Sequence, residues 1–161
     1  MRKICVVGAG YWGEKHIKTL NSLGVLKGVV EQDENRLSNL SINYPDISLY
    51  NNLNEALNVD FDGFTVVTPA ETHFKIASKI IQAKKPVLVE KPMTLLVDEC
   101  RELVSLALRN DVTLMVGHVL LFHPAILKIK DLIKDGAIGK LQYLYSNRLN
   151  LGKVRTQENV F

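Results

Sequence analysis

Cysteine is scarce: the 161 residues hold only Cys5 and Cys100. Two isolated thiols form neither a disulfide framework nor a metal-ligand spacing, and they point to a reducing cytoplasm. Charge of one sign is lacking too. The net charge is +3, and the lysines and arginines are scattered rather than gathered into a stripe, which argues against nucleic acid as a partner. Long apolar runs are missing. Arg2 and Lys3 precede only four apolar residues before glycines intervene, too few for a secretory signal. No run approaches the roughly 20 residues that span a bilayer. Repeats and low-complexity segments are absent. The length suits one domain, or one domain and part of another, and it is enough to bury a core.

What is present is an alternation. Short β-branched runs take turns with helical patterns: a strand at Lys3–Val7, a helix from about Gly13 to Leu23, a strand at about Val25–Glu31, a weak helix from Asp33 to Asn43, a short strand at Ile47–Tyr50 and a brief helix at Asn54–Asn58. Gly63–Val67 then reads as a buried strand by its continuous apolar character. Thr72–Ala83 is a helix with Ile76, Ala77, Ile80 and Ile81 on one face. Val87–Val89 follows as a strand, then a helix at Asp98–Asn110 with Cys100, Leu103, Val104, Ala107 and Leu108 at helical spacing, and a sixth strand at Thr113–Val116. This order predicts an α/β fold, a doubly wound parallel sheet of strand order 3-2-1-4-5-6, with its ligand crevice at the carboxyl ends of the strands.

The first strand runs into Gly8-Ala9-Gly10-Tyr11-Trp12-Gly13, and a helix follows. In G-x-G-x-x-G the first glycine permits the tight turn, the second lets a pyrophosphate approach the backbone, and the third lets helix and strand close up. Strand before and helix after give the motif its weight as a dinucleotide site, with a pyrophosphate held against the helix N-terminus. An S-adenosylmethionine pocket or a merely structural turn is the alternative. Glu31, 18 residues after Gly13, stands where a carboxylate would bond ribose hydroxyls. That favours NAD, while Arg36 nearby keeps NADP open.

Two further segments fall at the same sheet edge. Thr68-Pro69-Ala70-Glu71-Thr72-His73 follows the fourth strand, with Thr72 as a plausible helix N-cap and His73 able to bond a ribose or a backbone oxygen. Glu90-Lys91-Pro92 follows the fifth. Lys91 there could favour a developing alkoxide, Glu90 could orient it or bond ribose, and Pro92 could bring an unusual peptide geometry. A capping role for the first segment and a surface turn for the second are the plainer readings. His118 and His123 lack acid or cysteine companions at metal-ligand spacing, so no metal is expected.

Together these residues resemble the Gfo/Idh/MocA oxidoreductases, the glucose–fructose oxidoreductase and inositol dehydrogenase group. The resemblance rests on Val7–Gly13, Glu31, Thr68-Pro69 with Thr72-His73, Glu90-Lys91-Pro92, Val116-Gly117-His118 leading to Phe122-His123-Pro124-Ala125, and Gly136-Ala137-Ile138-Gly139-Lys140. It implies an NAD(P)-dependent dehydrogenase acting on a sugar, cyclitol or nucleotide-sugar hydroxyl, with Lys91 as the catalytic-site lysine. Cofactor contacts are implied at Gly8, Gly10, Tyr11, Trp12, Gly13, Glu31, Thr68, Pro69, Thr72, His73, Glu90 and Lys91. The segment Tyr145–Lys153 looks most like dehydrogenases of surface-polysaccharide sugar pathways.

Chains of that family run to about twice this length, beyond the usual size of one domain, and the part not represented here carries an Asp and a His of the catalytic site. Residues 1–120 are thus expected to be the NAD(P)-binding domain. Residues 121–161 would be a linker helix, His123–Asp135, and the first strand, Leu141–Asn150, of a truncated α+β substrate domain. That strand has no later partner, and an open edge favours self-association. A noncatalytic NAD-binding module is the alternative to a dehydrogenase.

Overall fold

The computed structural model describes residues 2–147 and 149. They fall into two compact units, divided after Gly117.

The first unit is a six-stranded sheet in the order β3-β2-β1-β4-β5-β6, every pair parallel. The strands are β1 (Ile4–Val7), β2 (Leu26–Val30), β3 (Ser48–Tyr50), β4 (Gly63–Val66), β5 (Val87–Val89) and β6 (Leu114–Val116). Helices α1 (Tyr11–Ser22), α2 (Glu34–Asn43), α3 (Leu53–Leu57), α4 (Ala70–Gln82) and α5 (Val97–Asn110) connect them. This is the doubly wound topology that the alternation predicts.

Period-2 alternation along β1 sorts the core into two layers. Cys5 and Val7 join Phe61, Phe64, Ile80, Ile81 and Leu103, while Val6 joins Ile17, Leu26, Val29 and Leu40. Helices α4 and α5 therefore cover one face of the sheet, and α1 and α2 the other. Ile17, Ile80 and Ile81 are almost completely buried, and each contributes about 2 kcal/mol by leaving water. Gly24, at φ 72°, ends α1, and Asp33 caps α2 by accepting the Arg36 amide at 3.0 Å.

Three expectations are corrected here. Helix α4 begins at Ala70, not Thr72, because Pro69 takes the N-cap position with φ −56°. Proline has no amide hydrogen to leave unpaired there. On α5, Leu103 and Ala107 are buried, but Val104 and Leu108 are 47% and 77% exposed, since the sheet reaches only one side of the helix. The strand expected over Leu141–Asn150 is not formed at residues 141–147. A strand needs a neighbour to complete its hydrogen-bond ladder, and none of the described residues provides one. Positions 148 and 150 lie outside the described residues.

The second unit contains a 3₁₀ turn, Val119–Phe122, and helix α6, Pro124–Lys134, whose N-cap His123 accepts the Ala125 amide at 3.2 Å. Gly136 and Gly139, at φ 70° and 67°, follow it. On α6, Leu132 and Ile133 are half-buried, whereas Ala125 and Ile129 are exposed.

Candidate cofactor site

Val30, Val7, Val66, Val89 and Val116 stand in register across the sheet as the last residues of β2, β1, β4, β5 and β6. The next residue of each strand forms a second row: Glu31, Gly8, Val67, Glu90 and Gly117. Backbone bonds continue the ladder through it. The Gly8 amide donates to Val30, Val67 to Val7, Glu90 to Val66 and Gly117 to Val89, at 2.8–2.9 Å, and Glu31 donates to Tyr50 at 3.0 Å. The sheet thus delivers the glycine loop, the acid and the lysine segment to one edge, centred where the strand order reverses between β1 and β4. Ligands bind at that point in open α/β sheets.

Gly8 has φ +97°, a conformation that side chains strain to adopt, and a Cβ there would lie 2.9 Å from Thr68 Cγ2. A Cβ on Gly13 would lie 2.1 Å from the Gly8 carbonyl oxygen, so this glycine lets α1 close onto the loop. Gly10 differs. A Cβ there would meet no protein atom nearer than Arg36 Nη1 at 3.7 Å. Packing within the chain does not demand glycine at this position, which is what a backbone surface kept bare for a pyrophosphate requires. Gly10 is also the N-cap of α1 and supplies no side-chain bond to the first amides, which are free to receive an anion. Tyr11 and Trp12 occupy the first two helical positions, 72% and 50% exposed, with their rings edge to face.

Glu31 is buried. Its Oε2 accepts the Ala9 amide at 2.7 Å, and its Oε1 accepts those of Gln32 and Asp33 at 2.7 and 3.0 Å. Arg36 Nη1 lies 3.5 Å from Oε2. Burial opposes ionisation, but the amides of Asp33, Ala9 and Gln32, with the Arg36 charge added, hold the carboxyl below its ordinary range. A carboxylate oxygen can accept more than one donor, so ribose hydroxyls can be added to this set.

After β4, the Thr72 hydroxyl bonds back to the Pro69 carbonyl and the Thr68 hydroxyl, both at 2.7 Å. His73 is buried. Its Nδ1 lies 2.8 Å from the Pro92 carbonyl oxygen and its Nε2 2.8 Å from that of Thr68. Both ring nitrogens face backbone oxygens, so His73 ties the loop after β4 to the loop after β5. The Lys91–Pro92 peptide is cis. Lys91 is exposed at the edge, and its amide donates to Glu90 Oε2 at 3.1 Å.

One residue of this site escapes a reading of the motifs. His16, on α1, places Nε2 2.9 Å from Glu90 Oε1, with both side chains largely buried. Its sequence signal is slight: it stands three residues after Gly13 and next to inward-facing Ile17. Among the described residues no cluster of three or more His, Cys, Asp or Glu could hold a metal, and no helix is long and apolar enough to cross a membrane.

The fold and this edge define a dinucleotide-binding α/β domain. Residues 2–118 match the model of the oxidoreductase family with an NAD-binding Rossmann fold, GFO_IDH_MocA, and the chain belongs to that family. NAD is the family's cofactor, and the S-adenosylmethionine alternative is set aside. The chain is 29% identical over 156 residues to UDP-N-acetylglucosamine 3-dehydrogenase of Acidithiobacillus ferrooxidans, covering 94% of this chain and 46% of that one. It is 31% identical over 143 residues to inositol 2-dehydrogenase of Mycolicibacterium smegmatis, covering 86% and 41%. Among solved structures it resembles GenD2 from gentamicin A biosynthesis, in complex with NAD, with TM-score 0.77, 30% identity, and coverage of 85% and 40%. The chain spans less than half the length of these relatives.

Proposed function

We propose that the chain is the cofactor-holding part of a dehydrogenase that oxidises a hydroxyl of a sugar, cyclitol or nucleotide sugar. The observation that carries this reading is the row Glu31, Gly8, Val67, Glu90 and Gly117, because it gathers an anion-binding helix start, a ribose-type acid and Lys91 at one edge. Gly8, Gly10 and the amides at Tyr11, Trp12 and Gly13 would hold the pyrophosphate. Glu31 would accept the ribose hydroxyls. Thr68, Pro69, Thr72, His73 and Glu90 would shape the wall beside the nicotinamide. When bound, NAD supplies the hydride acceptor. Lys91 would bond the substrate hydroxyl and favour the alkoxide as the hydroxyl proton passes to water, and hydride loss from the same carbon to that acceptor would give a carbonyl.

Residues 121–161 would begin the substrate-binding part. The exposed Tyr143, Leu144 and Tyr145 support self-association through this segment, and light scattering over a concentration series checks it. The two free cysteines, one of them buried, fit a cytoplasmic setting.

A second reading is favoured by the coverage of the relatives, less than half: the chain binds NAD without turning over. Calorimetric titration with NAD, followed by an assay of NADH formation on a panel of sugars, cyclitols and nucleotide sugars, separates the two. Binding with turnover supports the first reading, binding alone the second, and failure to bind NAD defeats both.

A further inference from the structure

Glu90 carries more structure than a ribose or lysine partner needs. Its amide is fixed in the sheet ladder through Val66 at 2.9 Å. Its two carboxylate oxygens go to different places. Oε1 faces His16 Nε2 at 2.9 Å, across 74 residues of sequence, and Oε2 accepts the amide of Lys91 at 3.1 Å. The Glu90 and His16 side chains are only 15% and 23% exposed. A carboxylate so far out of water needs strong donors, and the imidazole and the Lys91 amide supply them. On its remaining side lies Gly117, the next residue in the same row. A Cβ there would stand 2.9 Å from Glu90 Oε1, 3.0 Å from Cδ and 3.2 Å from Oε2. The bare backbone of Gly117 is thus the floor on which the carboxylate rests.

We infer that His16 is a positioning residue for Lys91, acting through Glu90, and that Gly117 is glycine so that Glu90 can adopt this position. The inference rests on the reading above, in which Lys91 meets the substrate. The chain of contacts starts on α1, the helix whose first turn would receive the pyrophosphate, and ends on the peptide of Lys91. It therefore fixes the distance between the cofactor's phosphate seat and the lysine by side-chain bonds as well as by the sheet. A lysine that must sit within hydrogen-bond reach of a reacting hydroxyl depends on such support, because misplacement by about 1 Å costs on the order of a hundredfold in rate. His16 meets the edge at Glu90 and makes no described hydrogen bond to Lys91 itself.

The experiment is amide hydrogen exchange on this chain, resolved at Lys91 by NMR, for wild type, His16→Ala, His16→Gln and Gly117→Ala. His16→Ala should free the carboxylate and speed exchange of the Lys91 amide by about tenfold, while core amides such as Val66 and Val89 keep their protection. His16→Gln, which retains a donor near the Nε2 position, should restore wild-type exchange to within about twofold. Gly117→Ala, acting from the opposite side, should reproduce the His16→Ala effect. Unchanged Lys91 exchange in folded His16→Ala and Gly117→Ala overturns the inference. So does acceleration shared equally by the core amides, which would mean a general loss of stability. If His16→Ala fails to fold, the comparison of wild type with His16→Gln and Gly117→Ala decides. Adding NAD to the wild type tests the underlying reading separately. If NAD binds but leaves the amides of Glu90, Lys91, Met93 and Thr94 unaffected, that reading fails, while the link from His16 to Lys91 still stands or falls on the variants.

Discussion

Glu31 closes onto Ala9: its Oε2 accepts the Ala9 amide at 2.7 Å, tying the end of β2 to the glycine loop after β1. The acid expected to read a ribose is thus also a brace for the loop that would hold the pyrophosphate, and the two functions share one carboxylate.

That brace should be visible in the pH dependence of stability. The folded protein holds the Glu31 carboxyl below its ordinary value of 4.5. A group with a lowered folded pKa contributes stability that is complete above its unfolded value and is lost as the pH falls through the folded one. Glu31→Gln should therefore be less stable than wild type at pH 7, and the difference should shrink as the pH falls below about 4.5. Urea melts of both proteins between pH 7 and pH 3 check this. A constant difference would mean that the charge of Glu31 contributes nothing.

Two glycines of one motif should respond in opposite ways. Gly13→Ala places a methyl 2.1 Å from a backbone oxygen and should cost roughly 3 kcal/mol of folding free energy, at the upper end of overpacking effects. Gly10→Val meets no protein atom at its Cβ nearer than 3.7 Å, so it should leave the melting curve close to wild type while abolishing NAD binding in a calorimetric titration. A Gly10→Val protein with unchanged affinity would show that the pyrophosphate does not pass over Gly10.

The difference between these glycines marks how far the sequence can be read. The β-branched runs and the helical spacing of Ile76 to Ile81 make the sheet and its strand order legible, because both are local patterns coupled by a general rule of crossover handedness. The glycine loop and Glu31 are legible because motif and position reinforce each other. His16 is not, since its partner lies 74 residues away and nothing local distinguishes it from an ordinary helix histidine. Val104 and Leu108 are misread for a related reason: spacing shows that a helix has an apolar stripe but not how wide a surface waits to cover it. The segment 141–147 has the alternation of a strand, yet alternation specifies a face and not a neighbour, and without a neighbour the ladder does not form.

The two thiols should react unequally. Cys5 is fully buried in β1, and burial pushes its thiol up to about 12, whereas Cys100 on α5 is half-buried. Since the thiolate is the reacting form, a thiol reagent such as Ellman's should modify Cys5 only after denaturation, with Cys100 accounting for any label on the native protein. Mass spectrometry of the labelled peptides checks the assignment. Early label on Cys5 would show that β1 opens without global unfolding.

His73 offers the sharpest separation of folding from binding. Its ring is enclosed, and its nitrogens lie 2.8 Å from the carbonyl oxygens of Thr68 and Pro92, the only side-chain link described between the loops after β4 and β5. His73→Ala removes that link and opens a cavity, with an expected cost of roughly 2–4 kcal/mol. The loops it joins also carry Thr68, Pro69 and Lys91, so NAD affinity should fall as well, although His73 has no ring nitrogen left over for the cofactor. His73→Asn, which can reach only one of the two carbonyls, should lie between wild type and Ala in stability. Urea melts and calorimetric titrations on the three proteins check both quantities. A variant that melts well below wild type yet binds NAD with full affinity would mean that the two loops hold their binding geometry without His73.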